Sequence, residues 1–337
     1  MKKIRYLITG SGGTIGSALL DKLMSKNNVT VCAFDSDEER LFNISEKYST
    51  SRNNLHLFLG NIRDKQRLLL AMENIDVVFH CAALKHVYIN EYNPFEVKKT
   101  NIDGVENIID CAIEHKVNKV IFTSSDKAVN PINIMGASKM MGERLFISAN
   151  NRVGMGPTIF SCVRFGNVID SSGSVLQTFR KQINNNIPLT ITDKRMTRFI
   201  ITLNNAIDLC FYAERNMKGG EIFIKNMGSI NITDLAIAFS KKSNPSIKYI
   251  GIKEGEKLYE ELLTAEEASR AYVHEGFICI LPELINKSLS IKQKKKFQDI
   301  AKNRLKFTKE LRSDQKLLSL TNIRNLLSSC YAKKKNS

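Results

Sequence analysis

The segment Ile4-Arg5-Tyr6-Leu7-Ile8-Thr9-Gly10-Ser11-Gly12-Gly13-Thr14-Ile15-Gly16 constrains this chain more than any other. Its apolar start predicts a strand, and Ser17-Ala18-Leu19-Leu20-Asp21-Lys22-Leu23 carries a helical pattern directly after it. Glycines at 10, 13 and 16 let the backbone turn tightly and come close to a ligand. The turn residues Gly10, Gly13, Thr14, Ile15 and Gly16 then present amides at the positive end of a helix, where a pyrophosphate is stabilised. Strand, glycine turn and helix in this order predict the first unit of a doubly wound parallel sheet that binds a dinucleotide.

The following elements extend that prediction. A second strand over 29 to 34 ends at Asp35, about twenty residues beyond the turn, where a carboxylate accepts hydrogen bonds from an adenosine ribose. Asp37, Glu38 and Glu39 add negative charge nearby, which favours NAD over NADP, with Arg40 the opposing cation. A third strand over 55 to 59 leads to Asn61 and Ile62, placed for the adenine edge. Then come a buried strand over 76 to 80, a long helix from 94 to 115 and a strand over 119 to 123. That strand delivers Ser124-Ser125-Asp126-Lys127 to the sheet edge at which such folds bind ligands. A helix from 137 to 150 sets Met135 and Lys139 one turn apart on the approach to the same crevice.

Past about residue 165 the alternation loosens. A helix near 175 to 183, a strand over 188 to 191 and a helix over 203 to 214 suggest a smaller lobe interwoven with the first. The expected class is α/β: a Rossmann-type doubly wound parallel sheet with a substrate-binding lobe and a basic helical C-terminal extension. Its expected divisions are residues 1–165, 166–284 and 285–337.

Charge matters mainly in that extension, which carries fifteen Lys and Arg against Asp299, Glu310 and Asp314, a net of +12 out of the chain's +16. Leu305, Phe307, Leu311, Leu317, Leu318, Leu320, Ile323, Leu326 and Leu327 recur near helical spacing, which predicts amphipathic helices separate from the catalytic fold. The first expectation is a solvated helical extension that packs on the core or on a sister subunit; an anionic membrane surface, RNA or an acidic partner protein are lesser candidates, and nothing resembles a nucleic-acid motif. No apolar run is long enough to span a membrane, and the chain opens without a signal-peptide core, so a cytosolic protein is expected. Seven scattered cysteines with no Cys-x-x-Cys spacing read as reduced core thiols, with no zinc site. His80 and His86 read as packed, hydrogen-bonded residues, and no metal is expected.

Several further motifs carry a family resemblance. These are Cys81-Ala82-Ala83-Leu84-Lys85-His86-Val87, Glu91-Tyr92-Asn93-Pro94, Lys99-Thr100-Asn101, Ser124-Ser125-Asp126-Lys127-Ala128-Val129-Asn130-Pro131, Arg164-Phe165-Gly166-Asn167-Val168 and Met196-Thr197-Arg198-Phe199. Over roughly residues 4 to 280 the chain resembles the UDP-N-acetylglucosamine 4,6-dehydratases, extended short-chain dehydrogenases of surface-polysaccharide and nonulosonic-acid pathways. It resembles their branch with methionine where most short-chain dehydrogenases have the catalytic tyrosine, here Met135. A thioether cannot exchange a proton, so either the chain is an inactive oxidoreductase or another group accepts the first one, and the neighbouring Asp126 and Lys127 favour the second reading.

The resemblance implies a lyase that uses NAD catalytically: hydride leaves C4 of the sugar, water is lost across C5 and C6, and the hydride returns to C6. It implies Lys127 as the base at C5, Asp126 as the acid for the C6 hydroxyl, Ser125 as a relay to the C4 oxygen and Lys139 on the nicotinamide ribose. Asp126, directly or through Ser125, is the candidate acceptor of the C4 hydroxyl proton. Ala82, Ala83, Lys85 and Asn101 join the cofactor set; Lys85, His86, Glu91, Asn167, Arg198 and Glu256 form the substrate set, with Arg198 toward the diphosphate. Lys253 and Glu254 stand where Arg-Pro is common in the loop on the uridine side. A homo-oligomer is also implied. The alternatives are the same elimination with C5 inverted, a UDP-sugar 4-epimerase, and a non-catalytic NAD-binding interaction protein.

Overall fold

The computed structural model describes residues 3–49, 54–240, 245–283, 297 and 305–334. Six strands come first: β1 (Ile4–Thr9), β2 (Val29–Asp35), β3 (Leu55–Leu59), β4 (Val77–His80), β5 (Lys119–Ser125) and β6 (Ile159–Phe165). They lie parallel in the order β3-β2-β1-β4-β5-β6. β2 and β4 are buried along their whole length, as expected of strands covered by helices on both faces. The strand order reverses between β1 and β4, which opens the ligand crevice at their C-terminal ends.

Helices α1 (Thr14–Met24), α2 (Glu38–Lys47) and α3 (Lys65–Met72) connect the first four strands. Between β4 and β5 run α4 (Val87–Tyr92), α5 (Pro94–Val97) and α6 (Gly104–Glu114); α7 (Ile134–Ala149) follows β5. The helix predicted over 94 to 115 is therefore present, but a π-type turn at Lys98–Asp103 interrupts it. That widened turn carries Asn101, whose Oδ1 accepts from Leu84 N at 2.8 Å while its Nδ2 donates to Leu84 O and Ser138 Oγ, each at 2.9 Å.

The rest of the chain splits between two jobs. β7 (Asn167–Val168), α8 (Val175–Asn184), β8 (Leu189–Ile191), β9 (Thr197–Ile201) and α9 (Leu203–Asn216) lead to β10 (Ile222–Lys225). β11 (Gly228–Asn231), α10 (Ile232–Ser240), β12 (Ile247–Tyr249), β13 (Glu261–Leu263), α11 (Ala265–Ala268), β14 (Ala271–His274) and β15 (Phe277–Ile280) follow. β10 extends the main sheet beside β6, and β15 and β14 continue it antiparallel. The β11-β9-β7 and β12-β8 sheets build the lobe around a separate apolar cluster that includes Phe179, Ile200 and Leu235.

The extension corrects the sequence reading. It forms β16 (Leu305–Phe307), which becomes the outermost strand of the ten-stranded sheet beside β14, and β17 (Leu311–Arg312), which pairs with β13. α12 (Leu320–Lys334) is helical, as the spacing predicts, and its Ile323 and Leu327 are buried in the lobe's own core. Leu305-Lys306-Phe307 alternates with period two and caps an open sheet edge, so strand pairing wins over the helical spacing of the wider window. The extension is part of the catalytic fold. Its residues 285–296, 298–304 and 335–337 lie outside the described residues.

One buried ion cluster locks the halves together. Arg164 on β6 makes two-point contacts with Glu143 of α7 (3.0 and 2.7 Å) and with Glu267 of α11 (both 3.0 Å), and donates to Leu262 O. Removing one partner from such a cluster costs about 3–5 kcal/mol because a charge is left buried alone.

Candidate active site

The nucleotide end is shaped by backbone approach. Gly10 sits at φ +69°, and a Cβ there would lie 2.8 Å from Ala82 backbone atoms; a Cβ at Gly16 would fall on the Gly10 carbonyl. Both positions therefore require glycine. α1 begins at Gly13 with no side chain capping its first turn, which leaves those amides for an anion, and the buried Ser11 Oγ has no protein partner. Asp35 is buried, with Oδ2 accepting from Gly12 N (2.8 Å) and Oδ1 from Asp37 N (3.1 Å). Arg40 lies over Gly12, but its guanidinium is paired with Asp37 at 3.0 Å, so the cation beside the ribose position is already countered. These features fit a dinucleotide with a free ribose hydroxyl. Ile62 is buried beneath Gly104, whereas Asn61 turns its Oδ1 back onto Arg63 N.

Lys85 bridges the first half of the fold to the lobe. Its Nζ donates to Ser172 O at 2.7 Å, and Ser172 N donates in turn to Thr14 Oγ1 at 3.3 Å. The lobe's 170–174 loop is thus tied across the glycine turn, with His86 packed at Gly173. His80 is a core residue, as expected: Nδ1 pairs with Thr9 Oγ1 at 2.7 Å, the ring stacks on Phe122 and Phe146, and burial, then Lys139, push its pKa down to about 3.

The chemical end lies where β5 stops. Ser125 Oγ donates to Asp126 Oδ1 at 2.7 Å, and Lys127 Nζ donates to the same oxygen at 3.0 Å. Asp126 is fully buried and its Oδ2 has no partner. α7 packs its first turn directly on this segment, because Gly136 has no Cβ to strike the Lys127 carbonyl. Glu91 and Asn133 fix that turn, accepting from Ile134 N and Gly136 N, each at 2.7 Å. Glu91 thus serves the scaffold, as Asn101 does. Met135 is buried, and one turn on Lys139 Nζ donates to Thr123 O at 2.9 Å over the Phe122 ring. Burial pushes the Lys139 pKa down to about 8.

The lobe completes the site with residues the sequence did not single out. Glu260, buried just before β13, reaches Lys127 Nζ at 3.5 Å, Arg198 Nε at 3.8 Å and Lys257 Nζ at 3.9 Å, and its Oε2 accepts no hydrogen bond. Lys257 also donates to Val129 O at 2.7 Å. Asn167 Oδ1 stands 3.5 Å from Lys127 Nζ. Burial works against the Lys127 charge, but Asp126 and Glu260 outweigh it and raise its pKa, with Arg198 opposing. Arg198 is held by Thr197 O at 2.7 Å as well as by Glu260. Glu256 curls onto Lys253 N at 3.4 Å, while Gly255 O of the same loop accepts from Asn133 Nδ2 at 2.8 Å. Among the described residues no cluster of His, Cys, Asp and Glu could hold a metal.

A family described as polysaccharide biosynthesis protein matches residues 6–282. The chain belongs to that family. A Campylobacter jejuni protein named UDP-N-acetylglucosamine 4,6-dehydratase (inverting) is 41% identical over 82% of this chain and 83% of its own. A Rickettsia typhi protein named UDP-glucose 4-epimerase is 38% identical over 79% of each chain. The X-ray structure of Pen from Bacillus thuringiensis is 40% identical, covers 97% of this chain and 98% of its own, and superposes with a TM-score of 0.88.

Proposed function

We propose that this protein is an NAD-dependent UDP-N-acetylglucosamine 4,6-dehydratase that forms a 4-keto-6-deoxy sugar nucleotide for a surface glycan. The observation that carries the reading is the Ser125-Asp126-Lys127 array, a buried carboxylate flanked by a half-buried hydroxyl and ammonium, an acid-base set of the kind an elimination needs, in a chain without the tyrosine of a simple dehydrogenase. Bound NAD supplies the hydride acceptor and returns the hydride. Gly10, Gly13, Thr14, Ile15 and Gly16 would hold its pyrophosphate, Asp35 its ribose, Asn61 and Ile62 the adenine side, and Ala82 and Ala83 the wall beside the turn. Lys139 would hold the nicotinamide ribose. Arg198 and Lys257 are the cations for the substrate's diphosphate.

The proton path runs from the sugar's C4 hydroxyl through Ser125 Oγ to Asp126, which then protonates the departing C6 oxygen. Lys127 exchanges the proton at C5. Neutralising Asp126 removes one of the two negative charges that raise the Lys127 pKa, so the first transfer prepares the second.

A second reading, with C5 inverted, is favoured by the Campylobacter relative, which is named an inverting dehydratase. The epimerase reading, raised by the Rickettsia relative, leaves the Asp126-Lys127 pair without an elimination to perform. The test is proton NMR of the purified protein with UDP-N-acetylglucosamine in deuterated water and no added cofactor. A new C6 methyl signal with a 4-keto or hydrated sugar supports dehydration, and coupling at C5 reads its configuration. An unchanged sugar or a simple C4 epimer overturns the reading.

The partners follow the same reading. Tyr88, Ile89, Tyr92 and Phe95 form an exposed apolar face on α4 and α5, which we assign to a second copy of the chain. The seven cysteines form no disulfide, in keeping with a cytoplasmic setting, and no helix of the described residues is long and apolar enough to cross a membrane.

A further inference from the structure

We propose that Glu260 is a positioning residue that fixes the place and the charge of Lys127, and that the C-terminal extension holds it there through Ser313. Its kinetic test rests on the dehydratase reading; its direct test does not. The Lys127 ammonium lies between two carboxylates, Asp126 at 3.0 Å from its own turn and Glu260 at 3.5 Å from the lobe. Both are buried, so the interaction is little screened by solvent. The other charged groups around this pair are Arg198, from β9, and Lys257, from the loop before β13. They face Glu260 and keep it from being an isolated buried anion. Glu260 Oε2 still has no hydrogen-bond partner.

The extension enters through the backbone. Glu260 N donates to Ser313 Oγ and Ser313 N donates to Glu260 O, each at 2.8 Å. Ser313 Oγ also meets Thr197 Oγ1 at 2.9 Å, beside Arg198. Ser313 is fully buried and follows β17 directly, so β17 pairing on β13 sets where Glu260 stands. A segment near the C-terminus thereby determines the charge environment of a lysine on the opposite half of the fold.

The experiment compares wild type, Glu260→Gln and Glu260→Asp by the pH profile of kcat and by titration of the Lys127 Nζ resonance in 15N-lysine protein without substrate. Losing the carboxylate charge lowers the Lys127 pKa. The limb of the profile that Lys127 controls, whether it is needed as acid or as base, and the Nζ midpoint both move to lower pH by about one unit. Glu260→Asp, which keeps the charge, restores most of that shift. If Gln destabilises the fold, Glu260→Leu needs no polar partner and gives the same displacement. A uniform loss of rate with limb and midpoint unmoved overturns the proposal. A wild type that fails to turn over the sugar nucleotide overturns the dehydratase reading, while the Nζ titration still decides the role of Glu260.

Discussion

Two lysines, the half-buried Lys127 and the buried Lys139, stand at the two sides of this site and are held in opposite ways. Lys127, at the end of β5, has carboxylates on two sides and a raised pKa. Lys139, one turn into α7, faces a carbonyl and an aromatic ring, and burial leaves its pKa at about 8. Burial alone disfavours an ammonium; what separates the two is where the compensating charge comes from. For Lys127 it comes first from Asp126 and then from the lobe, through Glu260, and the lobe is in turn held by the extension. Lys139 depends on its own helix and the neighbouring strand. The first side of the site is therefore assembled from distant parts, and the second is local.

The most severe way to break this comparison is to end the chain after Leu281. That removes β16, β17, Ser313 and the α12 residues buried in the lobe. The expected result is loss of soluble folded protein, read by circular dichroism and gel filtration. A stable, active truncated enzyme would return the extension to the status of an appended device.

Next in size is Asp126→Asn, which keeps the shape but removes the charge that Ser125 and Lys127 both address. Dehydration is expected to fall about 10²- to 10⁴-fold, with the fold and NAD binding retained. Turnover within tenfold of wild type would remove Asp126 from the proton path.

Lys139→Met probes the local side and should separate activity from stability. The folded pKa of about 8 lies below the ordinary 10.5, so the charged form is penalised in the folded protein. That penalty is fully present below pH 8 and fades as the pH rises toward 10.5. The variant is expected to lose activity yet gain up to about 3 kcal/mol of stability at pH 7, with the gain vanishing near pH 10.5. Thermal melts across this range check it, and a variant less stable than wild type at pH 7 would show that the Thr123 contact outweighs the burial penalty.

The same contrast explains what the sequence could and could not convey. β1 and β3 were legible to the residue, because apolar runs bounded by turn residues specify strands, whether covered like most of β1 or at the sheet edge like β3. Asp126, Lys127, Met135 and Lys139 were legible because they are neighbours along one strand-turn-helix unit. Glu260 was not: its partner lies in another half of the chain, and its own surroundings, Leu258-Tyr259-Glu260-Glu261, give no spacing that marks one acid as buried. Asn101 and Glu91 hold the scaffold of the site as well, Asn101 through Leu84 and Ser138 and Glu91 through its Oε1 on Ile134 N, contacts that no spacing in the sequence announces. The extension was misread because leucines in a window of mixed period were assigned to a helix, when three of its residues alternate along a sheet edge.

The smallest expected effect is the most discriminating. Ser313→Ala leaves every charged group in place and removes only the hydroxyl that accepts from Glu260 N and meets Thr197 Oγ1. An amide left unpartnered in a buried position costs about 1–3 kcal/mol, so a modest drop in melting temperature is expected whatever Ser313 does for catalysis. The informative quantity is the coupling. If Ser313 acts by fixing Glu260, its effect on the Lys127 midpoint is small and to lower pH in the wild-type background, and it disappears when Glu260 is already Gln. The loss of stability persists in both backgrounds. Additive shifts of the midpoint in the double variant would mean that Ser313 reaches Lys127 by another route, through Thr197 and Arg198, and the dependence of this side of the site on the extension would then not run through Glu260.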